Sequence, residues 1–391
     1  MSRFDFDTFC DRRGTAAEKW EMMSPDERTR GIVPLSVADM EFKSPPCVID
    51  ALTEAAKKGI YGYTKTDETF LAALRGWMRR RHGLSFKDEE LRIVNGVVPA
   101  LALAVRAFTQ PGQGVIVQPP VYPPFYSVAE ANGRRVAANP LVRDENGCYR
   151  MNFEELERLA AQPENTLMLL CSPHNPVGRV WTRAELERVW EICERNGVVI
   201  ASDEIHCDLV RKGRHIPLKL IDERAICLTA PSKTFNIPGL QLSQALIGDE
   251  TLRARFDAQQ RAVAGGAIPY FGRAAAIAAY NEGEAWLDEA LEYIQGNYRL
   301  LAQVCEAYLG PGALSPLEGT YLAWADFRSL GLDRKQLEAF TRQRCSLVLA
   351  EGYIFGREGE GFERFNLALP RAELQKALDR LETGLKEIKR C

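Results

Sequence analysis

The chain is predicted to be an α/β protein: a large domain with a mostly parallel central sheet covered by helices on both faces, then a smaller α+β domain. Short apolar runs of strand length alternate with helical periodicity through the middle of the sequence, the pattern of a parallel sheet with crossover helices. After about residue 284 the pattern changes to one long amphipathic helix followed by a strand and two further helices. The 391 residues exceed one ordinary core and suit two domains at roughly 150 residues each.

Residues 1 to about 45 are too irregular for a domain of their own and are expected to pack on the small domain. The opening Met1-Ser2-Arg3-Phe4-Asp5 has no signal-peptide hydrophobic stretch, and the ten cysteines show no Cys-x-x-Cys spacing, so a reduced cytoplasmic setting is expected. No apolar run nears the roughly 20 residues that span a bilayer, which argues against membrane insertion. A net charge of −3 makes nucleic acid an improbable partner. The basic run Arg79 to His82 closes an amphipathic helical pattern, where cations favour the helix dipole.

The large domain is expected over residues 46–283. Strand-like Leu91 to Val94 leads through Asn95-Gly96-Val97-Val98 into a helix over Pro99 to Phe108. Further strands are expected at Val115 to Gln118, Leu167 to Cys171, Val198 to Asp203 and Ala225 to Thr229. The clearest helix between them is Thr182 to Arg195: Thr182 can cap it, Glu185 completes a capping box, and Gly197 ends it. The small domain, 284–391, is read as helix Glu284 to Leu309, strand Tyr321 to Asp326 and helices Arg334 to Arg344 and Arg371 to Lys389. In such folds ligands sit at the carboxyl edges of the strands, and Asp203 is at one.

Lys233, thirty residues beyond Asp203, supplies the partner group. An amine able to condense with an aldehyde, and a carboxylate able to hold a pyridine nitrogen protonated, are the two groups that pyridoxal 5'-phosphate (PLP) chemistry requires. A cofactor phosphate needs backbone donors at a turn entering a helix; Gly96 permits close approach, Val97 and Val98 offer amides, and Ser232 adds a hydroxyl. Tyr122, on the stiff loop Pro119 to Phe125, can set a ring against the pyridine. Asn175 and His206 can reach the cofactor's phenolic oxygen. Arg364 can grip an α-carboxylate in bidentate fashion. Glu204, His206 and Asp208 are alternatively readable as metal ligands, but no His-Glu-x-x-His is present and no metal is expected. The glycines at 356, 359 and 361 read as a hairpin turn.

These residues, with Pro34-Leu35-Ser36-Val37-Ala38-Asp39-Met40, Gly59-Ile60-Tyr61-Gly62-Tyr63-Thr64, His174-Asn175-Pro176, Ser202-Asp203-Glu204-Ile205-His206, Ser232-Lys233-Thr234-Phe235-Asn236, Gly283-Glu284-Ala285-Trp286-Leu287 and Glu318-Gly319-Thr320-Tyr321-Leu322, follow one another in an order that resembles the fold type I PLP enzymes. The resemblance is to the MalY/PatB-like cystathionine β-lyase branch of the class I/II aminotransferase superfamily, over nearly the whole length. It implies Lys233 as the catalytic, cofactor-anchoring lysine, and a substrate held by Arg364, Ala38, Tyr122 and Asn175. It also implies a homodimer in which a tyrosine of the neighbouring chain reaches the phosphate, with Tyr63 the first candidate and Tyr61 the second.

The implied reaction is α,β-elimination from L-cystathionine or a related L-cysteine S-conjugate, giving a thiol, pyruvate and ammonia, with Lys233 removing the α-proton. The same residues serve an aminotransferase, the second reading, and a PLP-binding regulator that docks a partner protein is the third. Three positions depart from the family pattern. Gln241 stands where many aminotransferases have a phosphate-binding arginine, which leaves phosphate binding to amides, Ser232, Thr229 and Tyr63. Ala230 replaces a frequent serine, and Ser36 a usual tryptophan at the substrate entrance.

Overall fold

The computed structural model describes residues 3–388; Met1, Ser2 and the end of the expected last helix at Lys389 lie outside them. Seven strands form the central sheet: β1 (Leu91–Val94), β2 (Gly114–Val117), β3 (Arg135–Ala138), β4 (Asn165–Cys171), β5 (Val199–Asp203), β6 (Ile226–Thr229) and β7 (Ser243–Ile247). Their spatial order is β1-β7-β6-β5-β4-β2-β3. Every neighbouring pair is parallel except those of β7, which runs antiparallel to both β1 and β6.

Side-chain alternation explains why the inner strands read as continuous apolar runs. Ile116, Met168, Leu170 and Ile200 enter one core layer, while Val115, Val117, Leu167, Leu169 and Ala201 enter the other. Both faces are covered, so successive residues on a strand are apolar in either direction. Helix Val97–Phe108 belongs to the second layer and helix Arg183–Arg195 to the first. The latter starts as expected: the Glu185 amide donates to Thr182 Oγ1 at 3.3 Å and the Thr182 amide to Glu185 Oε2 at 2.8 Å, and Gly197 follows at φ +72°.

Beyond helix Glu284–Tyr308, an antiparallel sheet joins β8 (Leu322–Asp326), β10 (Phe362–Asn366) and β9 (Ala350–Glu351), with β10 in the middle. Helix Arg371–Ile388 packs on Glu284–Tyr308. Val33–Pro34 pairs in parallel with Leu347–Val348, so the irregular N-terminal segment is tied to the C-terminal part of the chain.

Three details differ from the sequence reading. The expected helix Arg334 to Arg344 is α-helical only over Arg334–Ala339 and continues as a wider π turn over Phe340–Arg344. Strands β3 and β7 and the helices Glu250–Ala262 and Tyr270–Glu282 were not anticipated. β7 carries Ser243 and Gln244 inside the sheet, and these polar residues break the apolar run; Gln244 is fully buried because its amide donates to Tyr280 Oη at 3.1 Å. The Arg79–His82 run closes its helix as read, ahead of Gly83, but its last residue turns inward, where His82 is buried on Asp208.

Candidate active site

A cavity of about 390 Å³ opens at the carboxyl ends of β1, β4, β5 and β6, within the range of small-molecule sites. Its wall includes Ala38, Gly96, Val97, Val98, Tyr122, Asn175, Asp203, His206, Ser232 and Lys233. All were singled out in the sequence, from six separate stretches.

Lys233 sits on a one-turn helix, Pro231–Thr234, directly after β6. Its Nζ donates to the Ala38 carbonyl at 2.6 Å. Burial pushes its pKa down to about 8, against the opposing pull of Asp39 and Asp203 and with the help of Arg364. The amine is therefore partly neutral near physiological pH, the state a proton acceptor needs.

Asp203 ends β5 and is 4% exposed. Its Oδ1 accepts from the Ile205 amide at 3.1 Å. Burial lifts its pKa to about 7, more than that amide and the Lys233 charge lower it. A carboxyl this destabilised as an anion is one that gains from a cation brought beside it. His206, also buried, has its pKa pushed well below the usual imidazole value by burial, and its Nδ1 has no hydrogen-bond partner among the described residues. It presents a neutral imidazole to the cavity.

Gly96 caps helix Val97–Phe108 with φ +121°, a conformation side-chain-bearing residues rarely adopt. It turns the first amides of a twelve-residue helix to the cavity, a ready anion site. Ser232 lies on the same wall. Thr229, expected to assist, does not line the cavity: it is buried in the sheet, where its Oγ1 meets Gln244 Oε1 at 3.4 Å. Gln241 does line it, with φ +49°, so among the described residues the wall carries one cation, Lys233, and no arginine.

Arg364 stands behind Asn175 on the middle strand of the second sheet and is 4% exposed. Its Nη1 donates to Asn175 Oδ1 at 3.0 Å and its Nη2 to the Ser36 carbonyl at 2.7 Å, while Nε has no partner among the described residues. Phe355 lies under the guanidinium at 4.8 Å. Burial draws its pKa down to about 10. A buried guanidinium held by neutral oxygens with an N–H to spare is suited to an incoming carboxylate. Ser36 contributes through its backbone and is itself buried.

Tyr63 is fully exposed, at 108%, and Tyr61 is 56% exposed with its hydroxyl on the Ala56 carbonyl. Neither enters this chain's own cavity. Glu204, His206 and Asp208 do not converge: Glu204 accepts from His215 and the Leu218 amide, while Asp208 faces His82. Cys171, Ile205, Leu242 and Ser243 line the cavity without having been anticipated. Only the rule that strand ends face the site could have found Cys171, which closes β4.

The sequence matches the family described as Aminotransferase class I and II over residues 30–381. It is 40% identical to cystathionine beta-lyase PatB of Bacillus subtilis, covering 97% of this chain and 100% of that one. It is 30% identical to the arginine–pyruvate transaminase AruH of Pseudomonas aeruginosa, covering 96% of each. Among solved structures, cystalysin of Treponema denticola, which contains pyridoxal 5'-phosphate, superposes with a TM-score of 0.93 at 38% identity, covering 98% of this chain and 99% of that one. A seven-stranded sheet with a single antiparallel strand, a lysine and an aspartate facing one cavity, and a family match across nearly the whole length agree: the chain belongs to the class I and II aminotransferase family.

Proposed function

We propose that the chain is a PLP-dependent carbon–sulfur β-lyase acting on L-cystathionine or a related L-cysteine S-conjugate. The observation that carries the reading is the pairing of Lys233, a half-buried amine with a lowered pKa, with Asp203, a buried carboxyl with a raised one, across a single cavity. PatB and cystalysin support it, the first by its name and the second by the cofactor it contains.

The donor set fits PLP. Asp203 would face the pyridine nitrogen, His206 and the Asn175 amide the phenolic oxygen, and the Tyr122 ring the face of the heterocycle. Gly96, Val97, Val98 and Ser232 would hold the phosphate. When bound, PLP supplies the electron sink that makes the substrate's Cα–H acidic. Arg364 and Asn175 orient the substrate carboxylate, with Ala38 and Tyr122 beside it. Lys233 Nζ takes the α-proton and the β-thiolate departs.

The proposal extends to assembly and setting. The large domain spans 46–283 and the small one 284–391, with residues 1–45 on the latter. Ile60, Tyr61 and Tyr63 form an exposed apolar stretch that a second copy covers, bringing Tyr63 to the neighbour's phosphate. No helix of the described residues is long and apolar enough to cross a membrane, and the cytoplasm is the proposed location.

The relative AruH supports a second reading, an aminotransferase, because the same residues serve amino transfer. Purified protein loaded with PLP and given cystathionine without a keto acid decides between them. Pyruvate and thiol released over many turnovers are the expected result. No pyruvate, together with amino transfer once a keto acid is added, establishes the second reading instead.

A further inference from the structure

Behind the cavity lies a buried carboxylate that the reaction above does not use. Asp208 follows β5 in the turn that carries His206, and it is 5% exposed. Its Oδ1 accepts from Trp77 Nε1 at 3.1 Å and lies 2.7 Å from His82 Nε2. Its Oδ2 accepts from Thr234 Oγ1 at 2.7 Å. Cys207 brings a thiol into the same group, but both Asp208 oxygens are already engaged by donors.

Thr234 is the residue after Lys233. The helix bearing both is four residues long, too short to hold its shape by its own hydrogen bonds. External anchors must fix it, and the three residues after the lysine supply them. Thr234 bonds to Asp208. Phe235 packs on Trp77 with ring centroids 5.3 Å apart. Asn236 Nδ2 donates to the Met40 and Phe42 carbonyls at 3.1 and 2.8 Å, while its Oδ1 accepts from the Met40 amide at 2.9 Å. Asn236 thereby holds the loop whose Ala38 carbonyl receives Lys233 Nζ. Trp77 both donates to Asp208 and carries Phe235, so two of the three anchors rest on one support.

We propose that Asp208, held by Trp77 and His82, is a positioning residue for Lys233: its hydrogen bond from Thr234 sets the rotation of the lysine-bearing turn and so the place of Nζ over the substrate carbon. The proposal rests on the assignment of Lys233 to PLP but not on the choice between elimination and amino transfer.

The test uses the PLP-loaded enzyme carrying Thr234→Val, which keeps the side-chain shape and removes the donor. Two readouts are expected to move. The pH midpoint of the bound cofactor's absorbance, which reports the lysine's surroundings, shifts by about half a unit. The kcat falls about tenfold while KM stays within about twofold, as for a misplaced catalytic group. Thr234→Ser restores both. A folded Thr234→Val enzyme with the parent's midpoint and kcat overturns the proposal. If Thr234→Val does not fold, Trp77→Phe decides, since it removes one donor from Asp208 and keeps an aromatic ring on Phe235: shifts in the same direction support the proposal, and parental values overturn it. A parent that binds PLP but releases no pyruvate still allows the absorbance titration, so failure of the lyase reading is distinguishable from failure of this one.

Discussion

Asp203 and Lys233 share a cavity, yet their protonation affects stability with opposite signs in different pH ranges. Asp203 has a folded pKa of about 7 against an ordinary 3.8, because burial disfavours the anion. Without PLP its contribution to stability is complete below about pH 4 and is lost as pH rises through about 7, on the order of 4 kcal/mol at most. Lys233, pushed down to about 8 by burial, contributes stability that is complete above about pH 10.5 and lost as pH falls through about 8. Asp203→Asn removes the first dependence and, by taking away one of the charges that raise the Lys233 pKa, moves the second further down. The expected outcome is that the Tm of the cofactor-free parent declines relative to that of the variant between about pH 5 and 7, and that PLP narrows the gap at pH 7. A constant difference across that range would show that Asp203 is not raised. At this scale the sequence was informative wherever a residue sat at a strand end or turn with a local signature, as Lys233, Asp203 and Gly96 do. It offered Asp208 only as an alternative metal ligand and gave no sign of its partner His82, 126 positions away; nothing local marks a carboxylate satisfied by distant donors. Thr229 misled because its place on β6, just before the lysine turn, says nothing of which way its hydroxyl points.

Among the elements, helix Val97–Phe108 offers the cleanest test, because its N-terminus touches the cavity while its body lies in the core. Gly96→Ala forces a Cβ onto φ +121°, where it meets Pro99 Cδ at 3.1 Å, at a cost of about 1–3 kcal/mol. The expected result is a lower Tm together with weaker PLP retention in equilibrium dialysis, by about tenfold. Thr182→Ala is the control: it removes the cap of helix Arg183–Arg195, costs about 1 kcal/mol, lowers Tm and leaves PLP retention unchanged. Equal loss of PLP in both variants would mean that Gly96 acts through general stability. The capping box at Thr182 was legible because it is contained within four residues. Strand β7 was not, since its buried Gln244 is satisfied by Tyr280, thirty-six positions on, and a strand's direction within a sheet leaves no trace in its hydrophobic pattern.

For the whole molecule, the proposed dimer makes a prediction of its own. Sedimentation velocity is expected to give twice the mass of the chain. Tyr63→Phe is expected to weaken PLP retention with the fold intact, although Tyr63 lies outside its own chain's cavity. Mixing Tyr63→Phe with Lys233→Ala chains then yields hybrids in which one site has both the lysine and the neighbour's tyrosine, so activity partly returns. No recovery on mixing, with exchange of chains verified, would remove Tyr63 from the neighbour's site. The parallel α/β body and the following α+β portion were readable from the change in periodicity near residue 284, because layered folds repeat their patterns over long stretches.

The guanidinium of Arg364 ties Ser36, 328 positions earlier, to Asn175, 189 positions earlier. During synthesis from the amino end, the residues of the cofactor cavity, 38 to 243, leave the ribosome well before the arginine does. Yet the wall cannot be finished early: the Ala38 carbonyl also accepts from Tyr321 Oη at 2.8 Å, and the carbonyls of Val37 and Asp39 on either side accept from Asn366 Nδ2 at 2.7 and 2.6 Å, so the pocket closes around its lysine only when translation is almost finished.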